Sequence, residues 1–128
     1  MRLMVLAALA ATMTAGAAVA QTGPQTGEQL FTDNCSACHQ KTGLGIPGAF
    51  PALAGDKFVL GDPVLVAGTV LYGRGGMPAF KDSLPDPVLA DIVTYVRSAW
   101  GNKAKPIAAD VFAKVRTGPP PVAKLQAH

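Results

Sequence analysis

A third cysteine is missing from this sequence, and so is any histidine between His39 and the last residue, His128. A structural zinc site takes about four ligands, so the pair Cys35 and Cys38 lacks the partners such a site needs. No strand alternation, βαβ pattern or internal repeat runs through the chain. That speaks against the thioredoxin-like setting in which C-x-x-C serves as a redox dithiol. Aromatic residues make up 6% of the chain and no run of Lys or Arg occurs, so nothing points to nucleic acid. No uninterrupted apolar stretch reaches the ~20 residues of a bilayer span. Leu3 to Ala11 is apolar, but Thr12, Thr14 and Gly16 interrupt its continuation.

What is present at the N-terminus reads as an export signal. Arg2 supplies a short positive region, Leu3 to Ala11 the apolar core, and Ala18-Val19-Ala20 a small-x-small cleavage site. Cleavage after Ala20 and a periplasmic location are expected, with no stable membrane insertion afterwards. No cysteine lies close enough to the cleavage site for a lipid anchor. The formal net charge of +3 falls when Arg2 leaves. The expected organisation is a signal over 1–20, one domain over 21–105, and a short helical turn with a Pro-rich flexible tail over 106–128.

The densest chemistry lies at Cys35-Ser36-Ala37-Cys38-His39. Two cysteines three apart, with histidine next in the chain, have the form of a c-type haem attachment site. Residues i and i+3 share a helix face, so both sulfurs can meet the two vinyl groups on one edge of a porphyrin. The adjacent His39 can then offer an imidazole nitrogen to the iron. A bare C-x-x-C also suits a redox dithiol or half a metal site, and those readings stand as alternatives. If one haem c consumes both cysteines, no disulfide forms.

Helices are the expected elements, giving an all-α chain of three to five short helices around the haem. Thr26-Gly27-Glu28-Gln29 has capping-box form, opening a helix from Gly27 to about Cys35 that sets Gly27, Phe31 and Cys35 on one face. Residues 40–61 are rich in Gly and Pro and read as loop, with Pro51-Ala52-Leu53-Ala54-Gly55 as a turn carrying a buried leucine. Asp62-Pro63 opens a second helix, with Asp as N-cap and Pro at the first helical position. Val64, Leu65, Ala67, Val70 and Leu71 form its expected buried face, and Gly73 stops it. Asp86-Pro87 repeats that start for a third helix to Trp100. There Val88, Leu89, Ile92, Val93, Val96, Ala99 and Trp100 recur at three and four, while Asp91, Thr94 and Arg97 point away. Ala109 to Arg116 suits one more short helix, and Thr117 to His128, with Pro119-Pro120-Pro121, an extended tail.

If His39 fills one axial position of the iron, elimination suggests the other. Met1, Met4 and Met13 lie in the signal, His128 is terminal, and both cysteines are taken. Met77 remains. Gly75 and Gly76 let the backbone approach a flat group, and Pro78 stiffens the exit. A lone methionine is also ordinary core filler. A thioether ligand favours the ferrous state relative to a second imidazole.

Together these residues resemble the class I monohaem cytochromes c. Gly27-x-x-x-Phe31-x-x-x-Cys35-x-x-Cys38-His39 is similar to that family's N-terminal signature. Pro51-x-Leu53-x-Gly55 is similar to its loop, Met77 to its distal ligand, and Ile92-Val93-Thr94-Tyr95-Val96 to the C-terminal helix that crosses the first. The resemblance spans about residues 26–102. It implies the cytochrome c fold, with the Pro51 carbonyl receiving the N–H of His39. It makes Leu53, Phe80 and Tyr95 candidates for the haem wall, though each also suits ordinary core packing. Gly75 to Phe80, Ser98-Ala99-Trp100-Gly101-Asn102 and Val111 to Arg116 more narrowly resemble bacterial cytochromes associated with periplasmic dehydrogenases. Many of those carry tandem haem motifs where this chain has one C-x-x-C-H.

The leading expectation is a single-electron carrier, not an enzyme, whose partners are redox proteins: a dehydrogenase, an oxidase or another cytochrome. Lys41, Lys57, Arg74 and Lys81 are candidates for steering an acidic partner, or plain solvated charges. A haem enzyme or gas sensor would need a labile sixth ligand and a distal acid or base. A third possibility is a permanent cytochrome subunit of a larger dehydrogenase.

Overall fold

A computed structural model describes residues 24–121 of the chain. The expected signal, its cleavage site after Ala20, and the end of the tail at residues 122–128 lie outside the described residues. Among the described residues five helices succeed one another: α1 (Gly27–Asn34), α2 (Ser36–His39), α3 (Pro63–Tyr72), α4 (Asp86–Val96) and α5 (Ala109–Thr117). The described residues form no strand, only the isolated bridges Ile46–Phe50 and Arg74–Met77. The architecture is all-α.

Local chemistry explains the starts of the helices. Thr26 caps α1 in a reciprocal capping box: its hydroxyl accepts from the Gln29 N–H, and the Gln29 side chain accepts from the Thr26 N–H at 2.9 Å. Asp62 caps α3 by accepting from the Val64 N–H at 2.8 Å, with Pro63 in the first turn. The third start differs from expectation. Pro85 is the N-cap of α4 and Asp86 is already helical, because the Asp86 carboxylate is occupied by Arg116, 2.7 Å away on α5.

α4 runs through the middle of two apolar clusters. On one side Leu89, Ala90 and Val93 pack with Val66, Ala67 and Leu71 of α3, with Ile107, and with Phe112 and Val115 of α5. On the other, Ile92 and Val96 pack with Leu30 and Phe31 of α1 and with Val59, here called the inner cluster. The α1–α4 crossing is close at Gly27, where a Cβ would lie 2.5 Å from the Asp91 carbonyl oxygen. Only a residue without that atom permits this approach.

Three expectations about faces are corrected. Val64, expected in the buried face of α3, is exposed, whereas Val66 and Gly68 are buried. Nearly every residue of this helix is apolar, so periodicity alone cannot choose its face. α4 ends at Val96, not Trp100. Trp100 does join the inner cluster, but it is reached through a turn in which it adopts φ +53°, so a residue at helical spacing packs inward from beyond the helix. Arg97, expected on the polar face, is only 4% exposed. Its guanidinium donates to the carbonyls of Val59, Gly61 (3.2 Å) and Lys105 (2.7 Å).

Candidate functional site

The end of α1 leads directly into the cysteine motif. The Cys35 N–H donates to the Phe31 carbonyl, making Cys35 at once the C-cap of α1 and the N-cap of α2. α2 is a single turn, and the Cys38 and His39 N–H groups both donate to the Cys35 carbonyl. The two cysteines form no disulfide and are half-buried. Burial, reinforced by neighbouring Cys38, pushes the Cys35 thiol up to about 11. Among the described residues no group of three or more His, Cys, Asp or Glu is placed to hold a metal ion.

His39 is 8% exposed. Its Nδ1 lies 2.9 Å from the Pro51 carbonyl oxygen. A carbonyl only accepts, so this contact requires the tautomer with its proton on Nδ1. No hydrogen bond from described residues reaches Nε2, which is left as a basic nitrogen of the kind that ligates metals.

The segment between these two residues is mostly exposed, yet its ends are fixed. Gln40 takes φ +61° and turns the chain, and the Gly45 N–H returns to the His39 carbonyl. The Gly43 carbonyl accepts from Leu53 and Ala54. Trp100 lies against Gly43 at a site where any Cβ would strike its ring, and Gly43 itself takes φ +67°. The indole N–H donates to the Lys41 carbonyl at 2.9 Å. Between the fixed ends, Leu44 is 63% exposed and Ile46 and Phe50 are also exposed. Leu44 and Phe50 border an open hollow of about 350 Å³ beside Pro51.

The remaining candidates divide between the two clusters. Leu53, Cys35 and Tyr95 pack on the inner cluster with Leu30 and Phe31. The Tyr95 ring is tilted against Phe31 at 5.6 Å and meets Trp100 edge-on at 5.5 Å, and burial raises its phenol pKa. Phe80 packs on the other cluster. Met77 sits in a short reversal, its N–H donating to the Arg74 carbonyl at 3.0 Å. The Phe80 and Lys81 N–H groups then pin the chain to the Val70 and Leu71 carbonyls of α3. Of the cationic candidates, Lys41 and Lys57 are exposed. Arg74 lies over the Phe58 ring and Lys81 over Tyr72, each at 5.1 Å.

The residues that brace this region escape sequence reasoning. The pattern puts Arg97 in solvent and makes Asn102 mere punctuation after a helix. Asn102 is 4% exposed and its side chain makes three hydrogen bonds, two of them to the 53–55 segment. The only local signal is its place near a helix end.

The family model described as cytochrome c oxidase, cbb3-type, subunit III matches residues 22–96. The cytochrome c subunit of a quinone alcohol dehydrogenase from Gluconobacter oxydans is 35% identical over 109 residues, covering 75% of this chain and 23% of that protein. Cytochrome c6 of Diacronema lutheri is 37% identical over 79 residues, covering 59% of this chain and 94% of that one. The solved cytochrome c6 of the diatom Phaeodactylum tricornutum is 30% identical with a TM-score of 0.49, covering 58% of this chain and 90% of that one. The chain thus spans about a quarter of the dehydrogenase subunit's length and nearly all of the Diacronema protein's. It belongs to the cytochrome c family. Its cofactor is covalently bound haem c, and its relatives include small monohaem cytochromes and cytochrome c subunits of dehydrogenases.

The donor set fits that cofactor. Two cysteines lie within one turn. The adjoining imidazole uses Nδ1 for the Pro51 carbonyl and receives no hydrogen bond from described residues at its second nitrogen, and the neighbouring loop exposes the apolar Leu44, Ile46 and Phe50.

Proposed function

We propose that the protein is a single-electron carrier whose one haem is held by thioethers to Cys35 and Cys38 and ligated by His39 and Met77. The observation that carries this reading is the 2.9 Å contact between His39 Nδ1 and the Pro51 carbonyl. It selects the tautomer that offers Nε2 to a metal and raises the basicity of that nitrogen. When bound, haem c supplies a one-electron iron couple. If His39 and Met77 both hold the iron, they would leave it no site for a substrate, which would favour electron exchange over catalysis. Leu53 and Phe80 supply apolar wall that keeps water out, and Tyr95 braces the helix crossing behind the site.

The chain is exported to the periplasm, cleaved after Ala20, and works as one cytochrome domain whose core includes Ile107 and α5, so the domain runs past the expected boundary at residue 105 and only the tail beyond α5 is appended. Its partners are redox proteins that dock weakly, with exposed Lys41 and Lys57 aiding the encounter. Reduction by the native partner should therefore slow as ionic strength rises. A salt-independent rate would remove the lysines from the account.

Similarity to a dehydrogenase cytochrome subunit supports a second arrangement, in which the same carrier remains fixed on a larger enzyme. Gel filtration of native extract separates the two: a free carrier elutes at the size of the chain alone. The primary reading is tested by intact mass. The expected value is that of a chain beginning at Gln21 plus one haem. Release of haem by acidified acetone would overturn covalent attachment.

A further inference from the structure

The Pro51 carbonyl that meets His39 belongs to a poorly packed segment. Pro51, Ala52 and residues 46–50 are all exposed; upstream, the Ile46–Phe50 bridge and the close approach of Gly45 to the Pro51 carbonyl hold the chain. Downstream it is held through residues 53–55. The Leu53 and Ala54 N–H groups donate to the Gly43 carbonyl at 2.7 and 3.0 Å. On the other side, buried Asn102 accepts from the Gly55 N–H through Oδ1 at 2.7 Å and donates from Nδ2 to the Leu53 carbonyl at 3.1 Å. The same Nδ2 donates to the Val96 carbonyl at 2.7 Å, which ties the assembly to the last residue of α4.

We infer that Asn102 is a positioning residue for the axial histidine. It clamps Leu53 and Gly55 to the end of α4 and so fixes the Pro51 carbonyl against His39 Nδ1. The inference rests on the reading of His39 as an iron ligand. A primary amide suits the place because it accepts at one atom and donates twice at the other. Buried partners left unsatisfied would make its loss costly. The chemical consequence is transmitted. A loosened Pro51 carbonyl weakens its bond to Nδ1–H, makes Nε2 less electron-donating, and favours the ferrous state.

The test uses the holoprotein with Asn102→Ala, and Asn102→Asp as a second variant. Asn102→Asp keeps the shape and the acceptor for Gly55 but removes both donors. In the ferrous protein, exchange of the His39 Nδ1 proton with solvent is followed by NMR, and the midpoint potential is measured alongside. Expected in both variants is proton exchange faster by about tenfold or more, together with a rise in potential in Asn102→Ala; in Asn102→Asp the added carboxylate itself favours the ferric state, so exchange alone is read there. Tyr72→Phe, which removes the hydroxyl bond to the Val115 carbonyl at the α3–α5 contact, serves as the control and should change neither. If only Asn102→Asp accumulates as folded holoprotein, it alone decides. Unchanged exchange in the Asn102 variants, or an unchanged potential in Asn102→Ala, overturns the positioning role, as does equal acceleration by Tyr72→Phe. If the wild type itself shows no protected Nδ1 proton, the underlying assignment of His39 fails instead, which separates the two failures.

Discussion

The two sides of α4 are held by different means. Toward α3 and α5, nine buried apolar residues form a cluster that includes Leu71 and Phe112, both fully buried. Arg116 closes that side with a bond to Asp86 and further bonds to the Lys81 and Leu84 carbonyls. Toward α1 and the His39 loop, five buried residues form the cluster. Much of the remaining cohesion there comes from polar side chains reaching backbone: Arg97 to Val59 and Gly61, Asn102 to Leu53 and Gly55, Trp100 to Lys41. The first side is a conventional core. The second is a loop fastened at chosen points, which leaves apolar side chains such as Leu44 and Phe50 exposed beside the site.

Phe112→Ala should have the largest effect on stability, about 3–5 kcal/mol, measured by chemical denaturation. Native hydrogen exchange should place the loss in α3 and α5. Equal loss across the 53–61 loop would mean that the two sides act as one unit. Arg97→Met tests the reverse. Three carbonyls lose their shared donor, each at a cost of about 1 kcal/mol or more, and exchange should rise at residues 57–61 before it rises in α5. Arg97→Lys should recover only part of the loss, because a single ammonium lacks the guanidinium fork.

Gly27→Ala comes next. The added Cβ meets the Asp91 carbonyl at 2.5 Å and the Tyr95 Cβ at 3.0 Å, so α1 must shift from α4 at a cost of about 1–3 kcal/mol. No loss of stability in thermal melts would show that the crossing has slack.

The smallest effect lies on the exposed surface of α5. A hydrogen bond from Lys114 holds the Asp110 carboxyl below its ordinary value. The stability this adds is present above the ordinary carboxylate value and is lost as pH falls through the lowered one. Asp110→Asn should therefore be slightly less stable than wild type at neutral pH and equal to it in strong acid. A deficit that persists in acid would assign the effect to something other than charge.

What the sequence reveals divides along the same line. Capping at Thr26 and Asp62, the glycine at the helix crossing, and the Cys35–His39 motif are local patterns, and each can be read within a few residues. The face of α3 cannot be, because nearly all of its surface is apolar. Arg97 and Asn102 are equally illegible. Their partners in the loop lie 36 to 49 residues away, and a polar residue at a helix end looks the same whether it meets water or a distant carbonyl. Trp100 shows the intermediate case. Its inward packing is legible from spacing, but the turn that delivers it is not.

The central claim is the ligand pair His39 and Met77, and the near-infrared spectrum of the ferric holoprotein tests it most directly. Wild type should show the sulfur-to-iron band of methionine ligation, and Met77→Ala should lack it while keeping its covalent haem. A wild-type spectrum without that band, or a band that survives the substitution, would contradict the account.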